Sequence, residues 1–179
     1  MVDRPRVPVR LRAARLSELP ALAKMRIALQ EHLKASNPHV WMLDRHSLPA
    51  IEANYRDMLT KGGDRICFLV AEAAGSTQPR AMAIGRVAER PEFTPAVTGL
   101  IDDVWVDPEL RGGGIAKALL ADLAAFFRRH NAETIVLDYV IGNREAERLW
   151  GSLGFTPVQV GADARLGDFE RKLRGDPHR

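Results

Sequence analysis

Three consecutive glycines, Gly112 to Gly114, lie between a predicted strand and a predicted helix in the stretch DPELRGGGIAKALL (107–120). Glycine in a helix interior costs about 1 kcal/mol relative to alanine, so the run needs a reason. The first amides of a helix have no partner within the helix and lie at the positive end of its dipole. A strand that leads through glycines into a helix therefore predicts a loop that binds an anion such as phosphate.

The spacing of these glycines separates the known phosphate-binding loops. A P-loop requires GxxxxGK[ST], and the sequence contains no such string. The dinucleotide fingerprint GxGxxG fails because Lys117 stands where the third glycine would be, counting from Gly112. A disordered RGG tract would be repeated, whereas this run occurs once and precedes an amphipathic helix. None of these three motifs explains the run.

Two segments, RGGGIA (111–116) and NREAERLWGSLGF (143–155), together resemble the GNAT superfamily of N-acetyltransferases. RGGGIA (111–116) has the form R/Q-x-x-G-x-G/A, which is that of the family's coenzyme A pyrophosphate loop. NREAERLWGSLGF (143–155) is similar to the family's N-x-x-A-x-x-[LF]-Y-x-x-[LI]-G-F block and follows a predicted strand, as in the family. The order of predicted elements over nearly the whole chain also agrees with this resemblance.

The resemblance implies that acetyl-coenzyme A is the cosubstrate and lies where the fourth and fifth strands splay apart. We expect the loop amides to hold the pyrophosphate and the backbone of Val104 and Val106 to pair with the pantetheine arm. One of those two amides would also face the thioester oxygen. The resemblance implies these cofactor-binding residues: Val104, Trp105, Val106, Arg111, Gly112, Gly113, Gly114, Ile115, Ala116, Lys117, Asn143, Ala146 and Trp150. For Lys117, a solvated surface position is an equal alternative.

Asp102 and Asp103 lie on the strand LIDDVWV that borders the expected cleft. An amine attacks only when neutral, so a group must accept its proton directly or through water. Strict alternation puts Asp102 on the same face as Val104 and Val106, and Asp103 on the other. Asp102 also falls where many members of the resembled family carry a glutamate base, so it is the first candidate. Asp103 is the reserve, although capping or pairing with an arginine is the favoured interpretation.

Trp150 departs from the pattern of the resembled family, which commonly has a tyrosine there to protonate the leaving thiolate. An indole N–H donates a hydrogen bond but is not a usable acid, so packing against the cofactor is the favoured interpretation. A thiol with a pKa of about 8.5 also leaves tolerably well as an anion. Tyr139 or a water molecule are the remaining candidates for the acid, and the sequence does not choose between them.

His39, Trp41 and His46 lie in the region that usually walls the acceptor pocket in the resembled family. A loop packed by its own side chains is an equal alternative. The histidines show no HExxH or Cys/His pattern, so we expect no metal site. The expected acceptor is a primary amine of a small molecule or peptide, and neither its identity nor the acyl length is readable. A non-catalytic acyl-coenzyme A-binding module and transfer of a longer acyl group are the alternatives.

The composition favours an ordinary globular protein. The net charge of +3 and an aromatic content of 6% do not indicate a nucleic-acid partner, and no apolar run is long enough for a membrane helix. The N-terminal stretch has no apolar core typical of a signal peptide, and Cys67 is the only cysteine. We therefore expect a cytoplasmic protein with a single domain over residues 1–179. A homodimer is an option, since dimers are common among members of the resembled family.

Hydrophobic periodicity predicts one α/β (α+β) domain with about seven strands and about four helices. The resemblance implies that the strands form a mixed, mostly antiparallel sheet. Ser17 is the predicted N-cap of the first helix. TIVLDYV (134–140) is predicted to be a central strand covered on both faces. FTPVQV (155–160) and ARLGDFERKL (164–173) are predicted to be the last two strands, followed by a frayed tail over about 174–179.

Overall fold

The computed structural model describes residues 8–39, 43, 46–73 and 75–175. Its sheet has five strands in the order β1-β2-β3-β4-β5. Neighbouring strands from β1 to β4 are antiparallel, whereas β4 and β5 are parallel because a helix crosses over between them. The strands are β1 (Val9–Ala13), β2 (Ile66–Ala73), β3 (Pro79–Glu89), β4 (Val97–Val106) and β5 (Thr134–Leu137).

Five α-helices accompany the sheet: α1 (Leu19–Ser36), α2 (Leu48–Lys61), α3 (Ile115–Arg129), α4 (Arg144–Ser152) and α5 (Leu166–Leu173). The prediction that Ser17 caps α1 is wrong, because a short 3₁₀ turn precedes the helix. In that turn the Glu18 carboxylate accepts the Arg15 N–H at 2.8 Å and pairs with Arg12 of β1. This ion pair fixes where α1 begins.

The two faces of the sheet carry separate apolar layers. Helices α1 and α2 cover one face, with Leu22, Tyr55, Phe68, Ile84 and Trp105 among the buried residues. Helix α3 covers the other face through Leu119, Leu123 and Phe127. Glycine is needed under α3, since a Cβ on Gly85 or Gly99 would come within 2.9 Å of the Phe127 ring. The α/β class predicted from the sequence is confirmed.

The chain forms two compact units, Met1–Asn143 and Arg144–Arg179. The sheet and helices α1 to α3 belong to the first unit, and α4 and α5 belong to the second. The predicted count of about seven strands is wrong for the described part of the chain, which has five. FTPVQV forms no regular element there, and residues 166–173 form a helix. Leu166, Phe169 and Leu173 recur at spacings of three and four, which is the helical period rather than the period of a strand.

Strand β5 also differs from its prediction. It ends at Leu137, so residues 138–140 lie beyond it. In the described sheet it is an edge strand, and Ile135 and Val136 are 36% and 47% exposed. The prediction that this apolar run is covered on both faces is therefore wrong for the described residues. An apolar run shows that burial is favourable, but it does not show which element provides the cover.

Candidate functional site

Strand β4 has two halves with different neighbours. Its pairing with β5 runs from Thr98 to Ile101 and stops there. Its pairing with β3 continues to Val106, which lies opposite Ala81. In the described part of the chain, the C-terminal half of β4 therefore has a strand on one side only. The pairing stops because β5 ends at Leu137, at the place where the resemblance implies a splay between the fourth and fifth strands.

The backbone of β4 directs two amides toward that open side. The Asp107 N–H donates to the Arg80 carbonyl of β3 at 2.9 Å. Because amide direction alternates along a strand, the amides of Val104 and Val106 point away from β3. Consistent with this direction, the Val106 carbonyl accepts the Nε–H of Arg111 at 3.1 Å. The two amides that the resemblance assigns to the pantetheine arm thus lie along the open edge.

The glycine run after β4 adopts a conformation that needs glycine at two of its three positions. Gly112 and Gly114 have φ angles of 83° and 82°, in the left-handed region, whereas Gly113 does not. A Cβ on Gly112 or Gly114 would meet no described atom within 4 Å, so the space beside them is open. Gly114 is the N-cap of α3 and has no side chain to occupy the first amides of the helix. The loop therefore leaves amides and space for an anion.

The turn before this loop is fixed by ion pairs and a local cap. The Asp107 carboxylate accepts the Glu109 N–H at 3.1 Å, and Leu110 closes the turn by donating to the Asp107 carbonyl at 2.8 Å. Arg80 of β3 reaches both acids, at 2.8 Å from Asp107 and 2.7 Å from Glu109. Side chains from β3 and the turn thus define where the chain enters the glycine loop.

A β-bulge moves Asp102, but not Asp103, away from the face that was predicted for it. In the pairing register, Asp103 lies opposite Ile84 and Ile101 lies opposite Gly85. No residue of β3 is therefore aligned with Asp102. Gly85 faces α3, which places the next residue, Arg86, on the α1–α2 face. Asp102 bonds to Arg86, so it lies on that face too. The prediction that Asp102 shares a face with Val104 and Val106 is therefore wrong, because strict alternation does not survive a bulge. Val104 and Val106 pack in the α3 layer.

The Asp102 carboxylate is only partly solvated and pairs with one arginine. Its side chain is 24% exposed, and the Arg86 Nε lies 3.0 Å and 3.1 Å from its two oxygens. Burial raises the pKa of Asp102 above its ordinary value, and the negative charge of Asp103 adds to the rise. Arg86 opposes that rise through its charge and its hydrogen bond. Asp102 therefore has the proton affinity of a better base than a solvated aspartate.

Asp103 is buried and bound from both helices of the α1–α2 layer. It accepts a hydrogen bond from the Tyr55 hydroxyl of α2 at 2.8 Å. Its other oxygen lies 3.1 Å from the Nε of Arg26 on α1. Burial, reinforced by Asp103, raises the pKa of Tyr55, so this hydroxyl stays a donor. The pairing with an arginine that the sequence favoured for Asp103 is present.

The side-chain partners of Asp102 and Asp103 were not predicted from the sequence. Arg26 and Tyr55 lie on helices distant in sequence from β4, and Arg86 lies on the neighbouring strand. Tyr55 and Asp103 are 48 residues apart. In the sequence, each of these residues is only a polar position within a largely apolar helix or strand. Such a position does not show which residue it will contact.

Arg111 lies against the end of β4 rather than extending from the loop into solvent. Its guanidinium lies 4.9 Å from the centroid of the Trp105 ring, a cation–π distance. The Trp105 ring also meets the His32 ring of α1 edge-on, with ring centroids 6.1 Å apart. Lys117, one turn into α3, is exposed. The Trp105 side chain therefore faces the α1–α2 layer, and its backbone pairs with Met82 of β3.

The remaining predicted residues of the first unit lie in the α1–α2 connection and in the segment after β5. Asn143 is buried, and its N–H donates to the Val140 carbonyl at 3.0 Å. Tyr139 is half-buried in the segment after β5. His39 and His46 are exposed, and Trp41 lies outside the described residues. Within the ranges that the structure describes, no cluster of three or more metal-ligating side chains occurs, and no helix is long and apolar enough to cross a membrane.

The second unit contains the tryptophan that departs from the family pattern. Trp150 of α4 is buried, and its ring packs edge-to-face on Phe155 with centroids 5.4 Å apart. The Phe155 N–H donates to the Trp150 carbonyl at 3.0 Å, while Gly154 adopts a φ of 89°. Ala146 is half-buried on the same helix. Trp150 therefore has a packing role within its own unit.

Solved structures share the fold of this chain. The chain aligns with the BH1408 protein from Bacillus halodurans with a TM-score of 0.74 and 19% identity, covering 88% of this chain and 99% of that one. It aligns with a predicted acetyltransferase from Clostridium acetobutylicum, solved with acetyl-CoA, with a TM-score of 0.68 and 18% identity, covering 90% and 98%. At these identities the likeness concerns the fold.

Two sequence comparisons are more specific. The chain is 32% identical over 90 residues to a glucosamine 6-phosphate N-acetyltransferase from Trypanosoma brucei brucei, covering 48% of this chain. The match spans 57% of that curated relative's length. The model of the acetyltransferase (GNAT) family matches residues 27–155, which include β2 to β5, the glycine loop, the acid pair and α4. The chain belongs to the acetyltransferase (GNAT) family.

Proposed function

We propose that this protein transfers the acetyl group of acetyl-coenzyme A to a primary amine of a small molecule. One observation carries the proposal: a loop with left-handed glycines at positions 112 and 114 opens α3 next to the C-terminal half of β4, which among the described residues has a strand on one side only. The family match supports the assignment of this loop to coenzyme A.

The residues present fit the cosubstrate. Open space beside Gly112 and Gly114 leaves room for phosphate oxygens, and the amides at the start of α3 offer donors at the positive end of its dipole. The amides of Val104 and Val106 would bind the pantetheine arm as an added strand. Arg111 and Lys117 would add positive charge near the phosphates. Ile115 and Ala116 would contribute backbone amides, and Asn143 a hydrogen bond from its side chain.

The chemical step joins the amine nitrogen to the acetyl carbon and breaks the bond between that carbon and sulfur. The acetyl group, when bound, supplies the electrophilic carbonyl carbon, and the free amide of Val104 or Val106 would donate to its oxygen as negative charge develops. The nitrogen loses one proton, and Asp102 accepts it directly or through one water molecule. The raised pKa of Asp102 favours that transfer. Asp103, occupied by Arg26 and Tyr55, is the reserve.

The sulfur leaves with the electron pair of the broken bond as a thiolate. Trp150 has no acidic proton to give, so we assign it packing rather than proton donation. Tyr139 or solvent would protonate the thiolate, and departure as the anion is chemically accessible because a thiol has a pKa of about 8.5.

The amine acceptor would approach from the α1–α2 side, where Asp102 and Arg86 lie. His39 and His46 are exposed in the connection between those helices and are candidates to contact it. The curated relative acts on glucosamine 6-phosphate, so amino sugars and their phosphates head the set of acceptors to test. Peptide amines are the second class.

Two measurements test the proposal. Calorimetry with coenzyme A reports binding, and thiol release from acetyl-coenzyme A reports turnover with glucosamine 6-phosphate, polyamines, aminoglycosides, amino acids and peptides. We expect binding together with turnover on at least one amine class. Binding without turnover on any amine would instead identify a non-catalytic acyl-coenzyme A module. Faster release from longer acyl-coenzyme A thioesters would reassign the acyl group. No binding at all would refute the site.

A further inference from the structure

The two helices that pack beside the acceptor side of β4 both reach the residue next to the proposed base. Arg26 of α1 and Tyr55 of α2 bind different oxygens of Asp103, at 3.1 Å and 2.8 Å. We propose that Asp103, held by Arg26 and Tyr55, is a positioning residue that fixes the β4 bulge and sets how Asp102 meets the amine. This inference rests on the proposed function, because it assigns Asp102 the role of base.

The geometry of Asp103 is too specific to be explained by packing alone. The core of the α1–α2 layer is built mainly of apolar side chains, and the Asp103 side chain is 11% exposed. Taking a carboxylate out of water is costly, and a well-packed apolar residue often serves stability equally well or better. Here the carboxylate is bound from α1 and α2 at the residue that follows the bulge. A buried charge at that place pins the strand where its regular pairing is interrupted.

The two partners of Asp103 are themselves held in orientation. Arg26 donates through a second nitrogen to the Gln30 Oε1, 3.1 Å away and one turn along α1. The Tyr55 ring packs edge-to-face on Phe68 of β2 with centroids 5.3 Å apart. The partners of Asp103 are therefore held in place by other residues, so a shift of the bulge would lengthen both contacts to Asp103. The position of Asp102 relative to α1 and α2 is fixed by the same contacts.

The arrangement also determines the charges around Asp102. Arg86 faces it from β3 and Asp103 is adjacent on β4, while Arg26 of α1 and the neutral Tyr55 of α2 lie behind Asp103. The charges thus run positive, negative, negative, positive from Arg86 to Arg26. Loss of the Asp103 charge is expected to lower the proton affinity of Asp102. Loss of Arg26 leaves the Asp103 charge uncompensated and is expected to raise it.

These opposite expectations give a test that a purely structural role would not pass. Asp103→Asn keeps the shape and can still accept from Tyr55, and Arg26→Gln keeps much of the side-chain length. The titration midpoint of the Asp102 carboxyl carbon is followed by ¹³C NMR in the full chain, with Asp102→Asn identifying its signal. We expect the midpoint to fall in Asp103→Asn and to rise in Arg26→Gln, each on the order of one pH unit.

The same variants are assayed by thiol release across pH with one amine. The amine's own protonation is common to all variants, so a difference in the acid limb of kcat/KM reports the enzyme. We expect the acid limb to shift along the pH axis in the same direction as the NMR titration midpoint. The KM for acetyl-coenzyme A should stay unchanged. Tyr55→Phe retains the ring against Phe68 and should lower kcat without changing that KM. Arg65→Gln, which breaks an exposed arginine pair with Glu89, is the matched control and should change neither readout.

The outcomes separate this inference from the proposed function. Midpoints that stay at the wild-type value, or shift in the same direction in both folded variants, would overturn the role of Asp103. If Arg26→Gln fails to fold, the lower titration midpoint of Asp102 that is expected in Asp103→Asn still tests the role of Asp103. Opposite NMR shifts in a protein that turns over no amine would uphold the coupling of the two acids and overturn the proposed function.

Discussion

The glycine loop and the acid pair border the same half of β4, but they are built in different ways. The loop depends on backbone conformation, with two left-handed glycines and a helix N-terminus within a few residues of one another. The acid pair depends on side chains that arrive from β3, α1 and α2. Local chain geometry thus produces one feature and long-range packing produces the other.

This difference suggests a division of labour that can be measured. A site made of backbone amides binds an anion without any positively charged side chain. Its affinity is therefore sensitive to a side chain that is added to one of its glycines. A site made of coupled carboxylates is sensitive to what is removed around it, because each charge shifts the proton affinity of the next. Changes in the loop should therefore affect cofactor binding, and changes in the acid pair should affect the chemical step.

The largest effect is expected from Gly114→Glu. A side chain at a φ of 82° adopts a conformation that costs about 1–2 kcal/mol, and the new carboxylate repels the pyrophosphate. We expect coenzyme A affinity to fall by roughly 100-fold or more by calorimetry. Gly63→Glu is the matched control, since Gly63 has a φ of 59°, open space and a place after α2. Equal affinity in the two variants would mean that the loop does not bind coenzyme A.

Asp102→Asn should slow the reaction and leave coenzyme A binding unchanged, the opposite pattern to Gly114→Glu. Loss of a general base is expected to lower kcat/KM by about 100-fold, while coenzyme A affinity stays at its wild-type value. In the wild-type protein the base form dominates only above the raised pKa of Asp102, so activity should fall as pH falls through that pKa. The variant should lack this limb in the rate of thiol release. A variant with the wild-type rate and pH profile would remove Asp102 from the mechanism.

Arg86→Gln sharpens the comparison by changing charge without touching either acid. Arg86 holds the pKa of Asp102 below the level that burial alone would produce. Its loss should therefore raise that pKa and move the acid limb of kcat/KM to higher pH, on the order of one unit. The measurement is the pH profile of thiol release at saturating acetyl-coenzyme A. A limb displaced to lower pH would contradict the proposed charge arrangement.

Arg80→Met should have the smallest effect, and on the loop side. Arg80 ties β3 to Asp107 and Glu109 in the turn before the glycine loop, through partly exposed pairs. Such pairs contribute up to about 1 kcal/mol, so coenzyme A affinity should weaken about two- to fivefold with kcat unchanged at saturation. Arg80→Lys should restore part of the affinity. A lower kcat with unaltered affinity would mean that loop and acid pair are not independent.

The sequence predicted the elements whose signals are local. The strand before the glycines, the helix after them and the order of the family's two motifs were readable because periodicity and glycine spacing act within a few residues. The last predicted strand instead forms α5, although Leu166, Phe169 and Leu173 already had helical spacing. The error came from reading apolar content without its period.

The faces of the acids could not be read in the same way. Asp102 and Asp103 were assigned by alternation, and the bulge opposite Ile84 and Gly85 reversed the assignment for Asp102. A bulge is a property of two strands in register, and one strand's sequence does not contain it. The partners of the acids were equally hidden, because Arg26, Tyr55 and Arg86 become neighbours only when α1, α2 and β3 pack around β4.

The sequence by itself thus indicated that this chain belongs with the acetyltransferases, because two motifs with fixed spacing resemble that family. It also indicated an anion-binding loop, because a left-handed turn at a helix start needs glycine at particular positions. Only the tertiary structure decided which side of the sheet the acids face and which charges surround them. Those properties depend on strand register and on side chains from distant segments, and proton affinity follows from distances that exist only in the folded chain.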